Sequence, residues 1–287
     1  MRIFTKPRDL AAQCREWRAA GDTIALVPTM GYYHAGHQKL MEYGRANAKR
    51  LVVSLFVNPA QFGPGEDLAA YPRDFERDRA IAEAVGADAL FAPAPEDFYY
   101  PDHAAWVVTP NLARGLCGAS RPIHFRGVCT VVLKLLLVSQ ADLAVFGEKD
   151  WQQQAIIKRM VRDLNVPATI VALPTVREAD GLAMSSRNVY LTRDERRVAP
   201  HLRKGLELAA ELTGKGVREA PAIIAAVRDY WRRHMPQAET DYLTLVHPES
   251  LKELQSIEGS GLLACAVKLG KARLIDNILL QRRDYAQ

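Results

Sequence analysis

The chain has 287 residues, which is enough to bury a large core and to form two domains. Its 48% hydrophobic and 25% charged residues are ordinary for a globular protein, and a net charge of +5 without clustering is no signature of nucleic-acid binding, although it fits a site for anionic substrates. The four cysteines lack C-x-x-C spacing, which argues against a zinc site or a disulfide framework. No apolar run approaches the ~20 residues of a membrane span and the N-terminus lacks the apolar core of a signal peptide, so we expect a cytoplasmic protein with no membrane partner.

Helices and strands alternate through the first 175 residues. The apolar periodicity predicts helices at residues 8–20, 38–49, 74–85, 127–139 and 151–164, and buried strands at residues 23–27, 51–57, 87–91, 143–146 and 168–173. This alternation is typical of βαβ units and predicts an α/β fold with a mostly parallel sheet.

The pattern changes after Pro174. Residues 192–212 and 220–234 have the period of long, charged helices, and residues 239–246, 261–267 and 273–280 have the composition of strands. We therefore expect a smaller α+β C-terminal domain and place the boundary between residues 175 and 176.

One strand-to-helix turn carries two histidines. The sequence PTMGYYHAGHQKL (residues 28–40) follows the first core strand and includes His34, Gly36 and His37. Such a turn lies at the carboxyl edge of a parallel sheet, where ligands bind, and the unpaired N–H groups of a helix start suit phosphate. Taken alone, H-x-G-H also fits an ordinary turn with two solvated histidines.

Two other clusters follow predicted strands. In NPAQF (residues 58–62), Gln61 offers a neutral amide to hydroxyls or a carboxylate, or is an ordinary loop residue. In GEKDWQQ (residues 147–153), Gly147 permits a tight turn and Lys149 places a positive charge on phosphate oxygens, or is a solvated lysine. Asp150 is well placed as the N-cap of the next helix, with a second role in orienting Lys149.

Two polar segments complete the candidate site. MSSRN (residues 184–188) offers two hydroxyls and a guanidinium to a triphosphate and resembles the mobile phosphate-binding loop of class I aminoacyl-tRNA synthetases, although S-S-R-N alone also fits a helix cap or a turn. RPIHFRG (residues 121–127) predicts a loop that shapes an anion site, with a helix start carrying solvated charges as the alternative.

In this order, the motifs resemble the pantoate–β-alanine ligase (pantothenate synthetase) family. The joint pattern covers nearly the whole chain and is far more specific than any single motif. The matching segments are PTMGYYHAGH (28–37), FVNPAQF (56–62), EDLAAYPRDFERD (66–78), RPIHFRGV (121–128), FGEKDWQQ (146–153), TVREADGLAMSSRN (175–188) and KARLIDNI (271–278).

The resemblance implies a Rossmann-like nucleotidyltransferase domain in residues 1–175, a C-terminal lid domain in residues 176–287, and a homodimer. It also implies the reaction, in which ATP, (R)-pantoate and β-alanine give pantothenate, AMP and diphosphate through a pantoyl adenylate. Mg²⁺ is implied as the ion that bridges the phosphates.

Residue roles follow from the same resemblance. His34 and His37 contact the phosphates, and His37 is the proton donor to the departing diphosphate. The ATP-binding set comprises Met30, Gly31, Tyr32, Tyr33, His34, Ala35, Gly36, His37, Gly147, Glu148, Lys149, Asp150, Val176, Met184, Ser185, Ser186 and Arg187. The catalytic residues within it are His34, His37, Lys149, Ser185, Ser186 and Arg187. Outside it, Gln61 and Gln153 bind pantoate, Arg121, His124 and Asn58 support the pocket, and Asp78 is a candidate near the metal.

The sequence departs from the family pattern at three places. Tyr32-Tyr33 precedes His34, Ile123 replaces a glycine, and His247-Pro248 replaces an aspartate-proline pair. A different nucleotidyltransferase, acting on phosphopantetheine or a pyridine mononucleotide, is the nearest rival, and the paired glutamines and GEKDWQQ argue against it. A non-catalytic nucleotide- or RNA-binding protein is the second rival, and the interspersed acidic and basic residues argue against that.

Overall fold

The computed structural model describes residues 1–281 and divides into two compact units. The first comprises Met1–Asn111, Arg121–Glu148 and Ile156–Thr175, and the second comprises Leu112–Ser120, Lys149–Ala155 and the chain from Val176 onward. Two segments that precede residue 176 thus belong to the second unit. The division into domains 1–175 and 176–287 stays a prediction, and residues 282–287 of its second part lie outside the described residues.

Nine strands and ten helices occur within residues 1–281. The strands are β1 (Arg2–Phe4), β2 (Ile24–Thr29), β3 (Arg50–Leu55), β4 (Ala89–Phe91), β5 (Leu143–Gly147), β6 (Thr169–Leu173), β7 (Glu239–Val246), β8 (Ser260–Leu269) and β9 (Ala272–Gln281). The helices are α1 (Pro7–Ala19), α2 (Ala35–Asn47), α3 (Phe75–Ala84), α4 (Pro95–Phe98), α5 (Cys117–Ser120), α6 (His124–Ser139), α7 (Trp151–Asp163), α8 (Arg193–Val198), α9 (His201–Gly214) and α10 (Ala220–His234).

The first unit contains a six-stranded parallel sheet in the order β1-β4-β3-β2-β5-β6. Residues Ile24 to Val27 of β2 are fully buried, as expected for a central strand with helices over both faces of its sheet. The strand order reverses between β2 and β5, and this switch point is where α/β sheets bind ligands at the carboxyl ends of the strands. The predicted α/β class with a parallel sheet is confirmed.

Three predicted elements of this unit differ from the structure. The last strand, β6, lies at the sheet edge and is only half-buried, whereas the sequence predicts a buried strand. Helix α2 begins three residues earlier than predicted, at Ala35, and α6 begins at His124 rather than Gly127. Gly127 inside α6 permits close packing against the backbone of Ala60. A Cβ at this position would lie 2.3 Å from the carbonyl oxygen of Ala60.

The second unit contains an antiparallel sheet in the order β7-β8-β9, against which α9 and α10 pack. Its core includes Leu206, Trp231 and Leu263. The single helix predicted at residues 192–212 is wrong, because α8 ends at Val198 and α9 begins after Pro200. Proline has no N–H for an intrahelical hydrogen bond and its ring obstructs the preceding turn.

The contact between α9 and α10 depends on a glycine. The indole Nε1 of Trp231 donates to the carbonyl oxygen of His201 at 3.1 Å, and a Cβ on Gly205 would lie 2.1 Å from that same Nε1. The close approach of the two helices therefore requires Gly205. None of the helices within residues 1–281 combines the length and the apolar character that a membrane span needs.

We predict that Gly205→Ala lowers the free energy of unfolding by about 2 kcal/mol, because the methyl group displaces the Trp231 indole. Gly214→Ala at the end of the same helix is the matched control, since a Cβ there meets nothing within 4 Å. Urea unfolding measures both variants. Equal stabilities would show that the close approach has no energetic importance.

Candidate active site

The turn between β2 and α2 is held by a buried carboxylate. Asp78 accepts the backbone N–H groups of Tyr32 at 2.5 Å and Tyr33 at 2.7 Å. Gly31 and Tyr32 have φ angles of 87° and 52°, in the left-handed region. Glycine is needed at position 31, because a Cβ there would lie 2.9 Å from Oδ2 of Asp78. The carboxylate thus holds the turn while Tyr32 is in a backbone region unfavourable for its type.

Each of the two histidine rings accepts a backbone N–H group at the start of α2. Nδ1 of His34 accepts the N–H of Gly36 at 3.1 Å, and Nδ1 of His37 accepts the N–H of His34 at 3.3 Å. The ring centroids are 4.1 Å apart. Because both Nδ1 atoms are acceptors, a neutral ring at either position carries its proton on Nε2. The pair therefore presents Nε2–H donors at the positive end of a 13-residue helix, an arrangement suited to phosphate oxygens.

Asp78, which the family resemblance places near the metal, is engaged by the backbone of the turn. Its side chain is 1% exposed, and both oxygens accept backbone N–H groups. Burial raises the pKa of the carboxyl above its usual range, and the hydrogen bonds from Tyr33 and Tyr32 oppose this rise. Within residues 1–281, no group of three or more His, Cys, Asp or Glu side chains is arranged to hold a metal ion. Asp78 therefore holds the turn through both of its oxygens, and its place near a metal stays a prediction.

Gln61 lies beside this turn, at the carboxyl end of β3. It is buried in the 3₁₀ turn Pro59–Gln61, where Asn58 donates to its Oε1 at 3.0 Å and its own Nε2 approaches Sδ of Met30 at 3.1 Å. Asn58 also donates to the carbonyl oxygen of Gly127 at 3.2 Å. The structure thus brings the predicted pantoate residue and the predicted support residue Asn58 together with the histidine-bearing turn.

Arg121 and His124 hold the backbone of Gln61. The carbonyl oxygen of Gln61 accepts from Nδ1 of His124 at 3.0 Å and from Nη2 of Arg121 at 3.3 Å. The Arg121 guanidinium also forms an ion pair with Glu66, so its charge is compensated. These side chains therefore support Gln61 from a helix start, and the anion-binding loop stays a prediction. Ile123 has a φ of −93°, which any residue adopts, so this departure from the family pattern causes no backbone strain.

Lys149 belongs to the second unit and lies in the 3₁₀ turn Glu148–Asp150. This turn runs directly into α7, so Asp150 lies within helical backbone rather than at the predicted N-cap. Burial lowers the pKa of the Lys149 ammonium below its usual range; Asp150 opposes this shift and Arg187 reinforces it. The second unit therefore brings together Lys149 and Arg187, two predicted phosphate-binding cations.

Gly147, the last residue of β5, precedes this turn. Its φ is outside the left-handed region, and a Cβ there would meet nothing within 4 Å. The backbone at position 147 therefore does not need a glycine for the tight turn that we predicted. The missing side chain leaves open space at the end of the strand.

The Ser185–Arg187 segment is presented by a hairpin. Arg177 pairs with Ala183, and the N–H of Met184 donates to the carbonyl oxygen of Val176 at 3.0 Å. Oγ of Ser185 accepts the N–H of Arg187 at 3.3 Å and so caps the 3₁₀ helix Ser186–Tyr190. The structure thus confirms the cap geometry that the sequence left open, and Ser186 is buried beside it.

The two glutamines of α7 differ in their surroundings. Gln153 is half-buried, whereas Gln152 is buried and fully engaged. Gln152 donates to the carbonyl oxygens of Leu112 and Gly115, both at 2.9 Å, and accepts the N–H of Cys117 at 3.0 Å. Gln152 therefore orders the 112–117 segment. Sequence reasoning missed this structural role because the partners lie between 35 and 40 residues away along the chain.

The comparison with known proteins identifies the family. The model of the family described as "Pantoate-beta-alanine ligase" matches residues 2–279. The chain belongs to the pantoate–β-alanine ligase family. It is 67% identical to the pantothenate synthetase of Desulfovibrio desulfuricans over 98% of this chain and 99% of that protein, and 58% identical to that of Nitratidesulfovibrio vulgaris over the same shares.

Solved structures of the family share the fold. A pantothenate synthetase from Thermus thermophilus superimposes with a TM-score of 0.90 at 44% identity and covers 97% of this chain and 99% of its own. A pantoate–β-alanine ligase from Francisella tularensis, solved in complex with "Beta-gamma ATP" and β-alanine, has a TM-score of 0.80 at 30% identity over 97% of each chain. These matches agree with an α/β unit followed by a small antiparallel sheet.

We predict that Asp78→Asn lowers the free energy of unfolding by about 2–3 kcal/mol, because an amide cannot accept both backbone N–H groups and one stays buried without a partner. Asp74→Asn is the matched control, since Asp74 caps the same helix α3 and asparagine caps equally well. Urea unfolding measures both. A loss in Asp78→Asn no larger than that in the control would contradict the role of the carboxylate.

Proposed function

We propose that this chain condenses (R)-pantoate with β-alanine at the expense of ATP. The carboxylate of pantoate attacks the α-phosphorus of ATP and releases diphosphate, and the amine of β-alanine then attacks the pantoyl adenylate and releases AMP. A carboxylate is a poor acyl donor, and conversion to a mixed anhydride supplies a good leaving group. Phosphoryl transfer of this kind asks the protein mainly for positioning and for positive charge.

The observation that carries this proposal is the histidine pair at the start of α2. Its Nε2–H groups are donors in the neutral state, so the pair binds phosphate oxygens without needing to be charged. We assign His37 as the proton donor to the departing diphosphate and His34 as a phosphate ligand. The rest of the 30–37 turn frames the nucleotide with its backbone.

The second unit supplies the charged groups. We assign Lys149, Ser185, Ser186 and Arg187 to the triphosphate, and the influence of the Arg187 charge, which lowers the pKa of Lys149, supports this grouping. Glu148, Asp150, Val176 and Met184 frame the nucleotide beside them. Burial strengthens the interaction of such cations with phosphate, because less water competes for the charge.

Pantoate is assigned to the two glutamines, Gln61 and Gln153. The amide of Gln61 is oriented by Asn58 and Met30, and its backbone is held by His124 and Arg121. An oriented neutral amide hydrogen-bonds a hydroxyl or a carboxylate without adding charge to the site. The β-alanine and ATP complex of the Francisella tularensis relative supports these two ligands for this chain.

Mg²⁺ is proposed as part of the Mg–ATP substrate. Residues 1–281 do not form a metal cage of their own, and Asp78 is occupied by backbone N–H groups. Mg²⁺ commonly binds substrate phosphates with few protein ligands, so the fold does not require a cage.

We further propose that the protein is a cytoplasmic homodimer. We also propose that residues 176–287 act as a lid, because an acyl adenylate must be shielded from water.

AMP release from Mg–ATP, with pantoate and β-alanine omitted in turn, tests the proposal. We expect AMP only when both are present, and pantoate-dependent exchange of diphosphate into ATP without β-alanine. A dinucleotide-like product would indicate the rival nucleotidyltransferase. Tight RNA binding without ATP turnover would indicate the non-catalytic rival.

We predict that His37→Ala loses diphosphate exchange by about 100-fold or more, because it removes the proposed proton donor. The thermal unfolding midpoint reports on the fold in the same samples. His247→Ala, which alters a histidine outside the described site segments, is the control and is expected to retain exchange. Wild-type exchange in His37→Ala would remove this histidine from the mechanism.

We predict that Gln61→Ala raises the KM for pantoate about tenfold and leaves the KM for β-alanine near its wild-type value, because one hydrogen bond to pantoate is lost. Gln237→Ala, at an exposed position, is the control. Steady-state kinetics with each substrate varied separately measures both. An unchanged pantoate dependence would move the pantoate site elsewhere.

We predict that kcat/KM for ATP falls at alkaline pH as Lys149 loses its proton, and that this fall begins below the usual lysine range because burial lowers the pKa of Lys149. Lys149→Arg stays charged, so its kcat/KM should be lower at neutral pH but should lack that alkaline fall. A pH–rate profile from about pH 6 to 10 measures both. An identical alkaline fall in the variant would assign it to another group.

A further inference from the structure

A buried ion pair links two distant segments of the second unit. Arg177 contacts both oxygens of Asp276, with distances of 2.7 Å from Nη1 to Oδ2 and 2.9 Å from Nη2 to Oδ1. The Asp276 side chain is 1% exposed. It faces the core side of β9 with the buried residues Ala272 and Leu274, at a position where a strand ordinarily carries an apolar residue.

Stability alone does not explain a charge at this position. Removing two charges from water costs several kcal/mol per ion, and apolar pairs of similar volume are often as stable or more stable. A bidentate arginine–carboxylate pair instead fixes geometry, because both partners are planar and both hydrogen bonds must align. The Arg177–Asp276 pair is therefore better suited to positioning than to stabilisation.

The arginine end of the pair controls the hairpin that leads to Ser185. Nη1 of Arg177 also donates to the carbonyl oxygen of Gly181, at the hairpin tip, with a distance of 3.1 Å. The backbone of Arg177 pairs with Ala183. The guanidinium thus ties both strands of the hairpin to β9, and the returning strand continues directly into the Ser185–Arg187 segment.

The next residue of β9 reaches Lys149. Nδ2 of Asn277 donates to the carbonyl oxygen of Lys149 at 3.0 Å, and the backbone N–H of Asn277 donates to Oδ1 of Asp276 at 2.8 Å. Because successive side chains of a strand point to opposite faces, Asp276 and Asn277 engage different segments from adjacent positions. After burial, which lowers the pKa of Lys149, the charges of Asp276 and Arg177 have smaller and opposite effects: Asp276 raises this pKa and Arg177 lowers it.

We propose that Asn277 is a positioning residue for Lys149, and that the Arg177–Asp276 pair positions the Ser185–Arg187 segment relative to it. Strand β9 then sets the geometry of the positive groups that hold the triphosphate. This inference rests on the proposed function of Lys149, and it gives a role to the KARLIDNI segment, whose residues the proposed mechanism does not use.

The test measures binding of Mg²⁺ with α,β-methylene-ATP, an analogue that is not cleaved at the α–β position, by calorimetry on the full chain. Asn277→Ala should weaken binding about tenfold, because Lys149 loses the hydrogen bond that holds its backbone. Asn277→Val, which lacks the donor but favours a strand, should do the same if the alanine variant proves poorly folded. Gln281→Ala, exposed at the end of the same strand, is the control and should bind as the wild type does.

A double-mutant cycle separates positioning from a general structural effect. In a Lys149→Ala background, Asn277→Ala should weaken binding less than about twofold further, because its target is already gone. The same tenfold loss in both backgrounds would overturn the proposal, and so would wild-type binding by Asn277→Ala and Asn277→Val. If Lys149→Ala alone binds the analogue normally, the failure lies with the proposed function of Lys149.

The ion pair is tested by Arg177→Met with Asp276→Leu. The doubly substituted chain should unfold at the wild-type temperature or higher, because an apolar pair replaces two buried charges. Its affinity for the analogue should nevertheless fall about tenfold, because the Ser185–Arg187 segment is no longer tied to β9. Wild-type affinity in this variant would show that the pair has no positioning role.

Discussion

The Asp78 carboxylate, which accepts two successive backbone N–H groups, is the contact on which the histidine-bearing turn depends. It holds Gly31 and Tyr32 in left-handed conformations, and the chain then enters α2 with His34 at the N-cap. In that position the two imidazoles accept backbone N–H groups at the start of the helix. The orientation of the Nε2–H donors is thus a consequence of a carboxylate that does not itself need to reach a substrate.

Charge compensation distinguishes positioning groups from groups offered to a substrate. Arg121 is paired with Glu66, and Arg177 is paired with Asp276, so neither guanidinium has a large uncompensated charge. Burial instead lowers the pKa of Lys149, as expected of an ammonium whose surroundings do not fully neutralise it. This difference explains why the arginines support their neighbours while Lys149 is the stronger candidate for phosphate.

The family relationship and the geometry of the histidine-bearing turn both support the proposed binding of ATP. They do so on different grounds. The relationship covers residues 2–279 and derives from residue identities, whereas the hydrogen-bond pattern of the turn derives from the fold. Gln61, which the family resemblance assigns to pantoate, is also oriented by the structure through four neighbours. Asn58 and Met30 contact its side chain, and Arg121 and His124 contact its backbone.

Local patterns along the chain were sufficient to predict the class of fold, the type of most elements and the segments that carry the candidate site. These features depend on apolar periodicity and on residue types at fixed spacing, which are legible in sequence. Two predicted helices have different bounds in the structure. Pro200 divides a predicted helix, and Gly127 lies inside a helix because the Ala60 carbonyl packs against it.

The partner of each polar side chain, in contrast, was known only once the chain was folded. Asp78 meets the turn from 46 residues away, and Arg177 meets Asp276 from 99 residues away. A carboxylate has the same formal charge in sequence whether it binds a metal, a guanidinium or two backbone N–H groups. Its role depends on which groups the fold brings within hydrogen-bond distance, and that distance is set by long-range packing rather than by local pattern.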